Sequence, residues 1–199
     1  MLVSLKHRLV ILAMPKCAST SLELALAGRM DIVISGNPAA KHTPYRKYDR
    51  FLRRYFESFT NGPLDVICLF REPLDWLRSW WRYRGRDDVP DGQVSARGWS
   101  FEDFVRAYAG DRRGPAAVGG QARFVSDRDG GLGVDRIFRY DEFEHFIDYL
   151  EGRLATRIEL DRLNVSPLPQ GASGLSDAGR AIADRAMARE YEIYRMIAK

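Results

Sequence analysis

Cysteine is scarce: Cys17 and Cys68 are the only two in 199 residues, which rules out a multi-disulfide framework. Neither belongs to a Cys/His spacing of the kind that holds zinc, and histidine is limited to three residues. Long apolar runs are missing. Nothing approaches the ~20 residues needed to span a bilayer, and Leu9–Met14, which follows Lys6-His7-Arg8, is too short for a signal-peptide core. No membrane span and a reducing cytoplasmic setting are the expectations. Neither charge sign is in large excess: 31 Lys and Arg oppose 27 Asp and Glu, a net +4. That mildly basic balance favours an anionic ligand without naming one. Internal repeats and low-complexity tracts are absent. With 45% hydrophobic and 29% charged residues, the chain has the composition of one well-cored globular domain, residues 1–199.

What is present is organised around Leu9–Leu26. A short apolar run leads into the turn Pro15-Lys16-Cys17-Ala18-Ser19-Thr20-Ser21 and then a helical pattern. A buried strand entering a helix through a hydroxyl-rich turn is a route to an anion site. The first-turn amides lack intrahelical partners, and the helix dipole is positive there. Further strands are expected at Asp31–Ser35, Leu64–Phe70 and Val134–Tyr140, and amphipathic helices at Pro44–Phe59, Pro73–Tyr83, Ser100–Tyr108 and Asp141–Leu154. Leu175–Lys199 reads as one long terminal helix. Strands alternating with helices predict an α/β domain on a mainly parallel central sheet flanked by helices.

The turn lacks the Gly-x-x-x-x-Gly-Lys-Ser/Thr pattern of nucleotide hydrolases, with its lysine early and its glycines missing. The second apolar strand ends in Arg71, where a hydrolase would present a magnesium-holding carboxylate. A cation there suits direct contact with a second anionic group.

These two motifs resemble those of sulfotransferases that use 3′-phosphoadenosine 5′-phosphosulfate (PAPS). Pro15–Ser21 is similar to their 5′-phosphosulfate loop. Arg71-Glu72-Pro73-Leu74-Asp75-Trp76-Leu77-Arg78-Ser79 is similar to their 3′-phosphate motif, in which a strand-ending Arg is followed eight residues on by a helical Ser. Lys41-His42-Thr43-Pro44, Gln121-Ala122-Arg123-Phe124, Arg139-Tyr140-Asp141-Glu142-Phe143 and Leu163-Asn164-Val165-Ser166 resemble stretches of the carbohydrate-type branch and its bacterial relatives. The resemblance implies a single P-loop-NTPase-like domain, with PAPS as sulfuryl donor and no metal. It further implies that Pro15, Lys16, Cys17, Ala18, Ser19, Thr20 and Ser21 bind the phosphosulfate while Arg71 and Ser79 grip the 3′-phosphate. Ala18 stands where many members carry Gly, and alanine disfavours positive φ.

Lys16 is the expected catalytic cation, offsetting charge that builds on the leaving phosphate. His42, beyond the Gly36-Asn37-Pro38 break, is the expected general base, with Glu23 and Asp75 as second choices. Asn164 and Ser166 are placed either at the nucleotide end of the cofactor or as simple turn formers. Trp76, Trp80 and Trp81 are expected to include core residues. In the Pro44–Phe59 helix, Arg46, Arg50, Arg53 and Arg54 read as one face and Tyr48, Phe51, Leu52 and Tyr55 as another. The arginine face is either solvated or, with Lys41 and Lys47, receives an anionic glycan, acidic or sulfated. The expected reaction is in-line sulfuryl transfer to a hydroxyl, ahead of an amine, on a glycan or small metabolite, with no nucleic-acid partner. Two alternatives stay open: a non-catalytic module binding nucleic acid or sulfated glycan, and a divergent P-loop kinase.

Overall fold

Leu9–Leu12, apolar on both faces and with all four residues buried, forms the centre of a sheet covered on both sides. The computed structural model describes residues 1–88, 94–111, 114–159 and 173–197. In chain order the elements are β1 (Leu2–Ser4), β2 (Leu9–Leu12), α1 (Ser19–Leu26), β3 (Ile32–Val33), α2 (Pro38–Lys41), α3 (Tyr45–Tyr48) and α4 (Arg54–Glu57). They continue as β4 (Asp65–Phe70), α5 (Pro73–Arg84), α6 (Phe101–Ala109), α7 (Gln121–Val125), β5 (Arg136–Arg139), α8 (Phe143–Leu154), α9 (Asp177–Ala186) and α10 (Ala188–Met196).

The fold is mixed α/β. Its five-stranded sheet has the order β3-β1-β2-β4-β5. Strands β2, β4 and β5 are parallel, with Leu12 opposite Cys68 and Phe70 opposite Arg139. β1 is antiparallel to both β2 and β3. The expected parallel arrangement therefore holds for β2, β4 and β5 and is interrupted by β1, a three-residue strand too short to show a pattern in sequence. Because β1 opposes both its neighbours, β2, β3, β4 and β5 all point one way. Their C-terminal ends share a single sheet edge. Leu22 and Leu26 of α1, and Phe146, Leu150 and Leu154 of α8, are buried.

The chain divides into two compact units. The first comprises Met1–Arg71, Gln121–Leu163 and Ile197–Lys199, and holds the whole sheet. The second comprises Glu72–Gly120 and Asn164–Met196. Within the second, Trp76, Trp81, Phe101, Phe104 and Tyr108 are buried, as expected for at least part of the tryptophan cluster. Ser100 and Asp103 close a reciprocal capping box on α6. Ser176 caps α9 and also donates from its hydroxyl and main chain to the Glu102 carboxylate, both at 3.0 Å.

Two helices differ from expectation. The terminal one is two helices, parted at Met187, whose backbone leaves the helical region at φ −114. The Pro44–Phe59 segment is α3, a π-helical stretch over Asp49–Arg53, and α4. The wider π turn inserts an extra residue per turn, so the 3.6-residue spacing no longer keeps one face together. Tyr48 and Phe56 are buried, whereas Phe51 and Tyr55, expected on Tyr48's side, are exposed. Among the described residues, no helix is long and apolar enough to cross a membrane.

Candidate functional site

In open α/β sheets, ligand crevices form beyond the carboxyl ends of the parallel strands. Here four chain segments leave that edge, one per co-directional strand, and all belong to the first unit. They carry Lys16 after β2, His42 after β3, Arg71 after β4 and Tyr140 after β5.

The loop after β2 turns sharply, with Lys16 at φ 66 and Ala18 at φ 53, both left-handed and neither a glycine. Each costs about 1–2 kcal/mol relative to ordinary backbone, and such strain gathers where function fixes the chain. Ala18 is the N-cap of α1, which starts at Ser19, three residues earlier than expected. The first i→i−4 bond runs from Leu22 N–H to the Ala18 carbonyl at 3.0 Å, so the N–H groups of Ser19, Thr20 and Ser21 precede the ladder. Ala18 makes no side-chain cap, and a change of backbone hand such as that from Ala18 to Ser19 is the geometry in which successive amides form an anion-binding concavity. Together with the positive end of the helix, this is a concave seat for an anion. Ala18 thus occupies the conformation that glycine would adopt with less strain.

Lys41 packs against the same helix turn. Its ammonium pairs with Glu23 at 2.7 Å and donates to the Thr20 hydroxyl at 3.3 Å. Glu23, a second choice for the base, is thereby occupied as the partner of a cation. In sequence Lys41 is read with the Arg46–Arg54 cations; its contact with Thr20 depends on the return of the chain after β3.

His42 caps the end of α2. Its Nδ1 lies 2.7 Å from the Ala13 carbonyl, so Nδ1 carries the proton and Nε2 holds the lone pair. Burial lowers the pKa of His42 below its usual 6.5; the Ala13 carbonyl works against that shift, and the positive charges of Lys41 and Lys16 reinforce it. Near neutral pH the ring is neutral, with a fixed tautomer and an acceptor nitrogen. That is the state a general base requires.

Arg71 bridges from β4 to the loop: its guanidinium donates to the Lys16 carbonyl at 3.0 Å and lies 4.6 Å from the centroid of the Tyr140 ring. Its main chain is held by Gln121, a fully buried residue at the start of α7. The Gln121 carboxamide accepts from Arg71 N–H and donates to Arg71 C=O, both at 2.9 Å. Cys17 Sγ stands 3.9 Å from Gln121 Oε1, so one carboxamide touches both the loop and the end of β4. Gln121 entered the sequence reading only as the first letter of a resembling stretch, and a buried glutamine has no periodic signature.

Lys16, Cys17, Ala18, Ser19, Thr20, Ser21, His42 and Arg71 therefore meet at one edge, with Pro15 opening the loop. Ser79 lies on α5, in the second unit, as does Asp75. Asn164 and Ser166 fall outside the described residues. A cavity of about 10 Å³ lined by Met14, Cys17, Ser19, Leu22 and Leu69 adjoins the loop, with room for no more than a water molecule. Among the described residues, no three His, Cys, Asp or Glu side chains form a group able to hold a metal. Comparisons with family models, with characterised proteins and with solved structures returned no match.

Proposed function

We propose that the protein is a PAPS-dependent sulfotransferase built on a P-loop-like variant of the α/β fold. The observation that carries this reading is the meeting of a strained lysine-bearing anion loop, a neutral loop-side histidine and a strand-ending arginine at one sheet edge. The sequence resemblance supplies the identity of the donor. In this reading the phosphosulfate sits on the Ser19–Ser21 amides, and Lys16 faces the oxygen that bridges sulfur and phosphorus. The acceptor hydroxyl attacks sulfur in line while its proton passes to His42 Nε2. The bond from sulfur to the bridging oxygen breaks, and adenosine 3′,5′-bisphosphate departs with the added negative charge that Lys16 offsets. Positioning and fixed charge supply the rate, as for phosphoryl transfer.

The test is transfer of radiolabelled sulfuryl from PAPS to a panel of hydroxylated glycans and small metabolites. His42→Ala is expected to lower turnover by about 10²–10⁴, the range of a lost general base. Because His42 titrates below its usual value, wild-type kcat/KM should hold through neutrality and fall only below pH 6.5, as the ring gains its proton. Full activity in His42→Ala removes it as the base.

A further inference from the structure

The segment from α3 to Phe59 takes no part in the chemistry above, yet it carries the most apolar exposed row in the first unit. Phe51, Tyr55 and Phe59 are 63%, 61% and 59% exposed and fall four residues apart. Burying three aromatic rings is strongly favourable, so leaving them in water needs a reason. The π-helical stretch at Asp49–Arg53 is what turns the first two outward. Arg46, Lys47, Arg50 and Arg54 are exposed on the same segment, with Arg46 Nε also donating to the Asp127 carbonyl. The acids of the segment do not offset these cations, because Asp49 and Glu57 both pair with Arg53, at 2.9 and 3.4 Å. Arg53 itself points inward and donates to the Tyr45 hydroxyl at 2.8 Å. It leaves the expected four-arginine face, and Lys47 joins the exposed cations.

We propose that this face docks on the surface of an anionic lipid bilayer, with the rings at the headgroup level and the four cations among the lipid phosphates. Aromatic side chains prefer that boundary, and basic residues beside them respond to the negative surface potential. Charge decides against a second copy of the chain, since two such faces would oppose their cations. Ring geometry decides against single-stranded nucleic acid, which stacks bases on accessible ring faces. Tyr55 and Phe59 meet edge-on at 84°, and the Arg50 guanidinium covers Phe51 at 4.9 Å.

Co-sedimentation of the full chain with vesicles tests this independently of any transferase activity. Vesicles of phosphatidylcholine mixed with phosphatidylglycerol should bind it at least about tenfold more strongly than phosphatidylcholine alone, and high salt should reverse the difference. The triple variant Phe51→Ser/Tyr55→Ser/Phe59→Ser and the pair Arg50→Gln/Arg54→Gln should each weaken binding by about tenfold while the protein stays folded, with a cooperative melt and the wild-type far-UV circular dichroism, since all five side chains are mostly exposed. Equal binding to both vesicle types, or wild-type binding by the triple serine variant, overturns the proposal. So does retention on a sulfated glycan or single-stranded RNA with no vesicle binding.

Discussion

Gln121 gives the sharpest mechanical prediction, because one fully buried side chain holds two main-chain groups of Arg71. Leucine at that position nearly conserves volume but can satisfy neither group. A buried polar group left without a partner costs about 1–3 kcal/mol. Arg71 is half-buried, so the lower end applies to each, about 2 kcal/mol for the pair. For a chain of this size that corresponds to a melting temperature about 4–8 °C lower. Urea denaturation of Gln121→Leu should show a reduced midpoint with an unchanged slope. Gln121→Glu sharpens the test. A protonated carboxyl can still accept from Arg71 N–H and donate to Arg71 C=O, whereas a buried carboxylate cannot donate. Its folded pKa should lie above the unfolded glutamate value of about 4.3. The variant should then approach wild-type stability below about pH 4.3 and lose stability as pH rises through the folded pKa. Gln121→Leu within ~0.5 kcal/mol of wild type, or a pH-independent deficit in Gln121→Glu, refutes the clamp.

Two further outcomes follow from the same structure. Ala18→Gly relieves about 1–2 kcal/mol of left-handed strain and gives back about 0.4–1 through the freer unfolded chain. The expectation is a protein equal to or slightly more stable than wild type, read by denaturation, whereas Ala18→Val should be clearly destabilised. In the second unit, hydrogen bonds from the Ser176 main chain, then Arg106, then the Ser176 hydroxyl depress the Glu102 pKa to about 2. Its contribution to stability is present above the unfolded value near 4.5 and is lost as pH falls toward 2. Denaturation midpoints of Glu102→Gln and wild type, followed by far-UV circular dichroism, should differ at neutral pH and converge across that window.

Much of the sheet was legible because β2 and β4 are apolar on both faces and are bounded by turns that sequence reports directly. β1 was not, since Leu2-Val3-Ser4 is too short to carry a period. The Pro44–Phe59 segment was legible as helical but not as broken: no residue type marks a π turn, and the 3.6-residue rule then assigns Phe51 and Tyr55 to the wrong side. At the site, Lys16, His42 and Arg71 stood out because each charged or titratable group follows a break or an apolar strand. Their partners did not. The Ala13 carbonyl that fixes the His42 tautomer and the Gln121 carboxamide that fixes Arg71 are joined to them only through the sheet order. Ala18 was the residue where sequence and structure spoke most closely, because a missing glycine in sequence becomes a left-handed alanine in space.

The proposed function requires this sheet edge to bind a nucleotide carrying both a 3′- and a 5′-phosphate. Isothermal titration calorimetry with adenosine 3′,5′-bisphosphate, set against ATP with magnesium, tests it most directly. Tight binding of the bisphosphate, weak binding of ATP with magnesium, and loss of the bisphosphate signal in Arg71→Ala are expected. Preference for ATP with magnesium, or undiminished bisphosphate binding in Arg71→Ala, contradicts it.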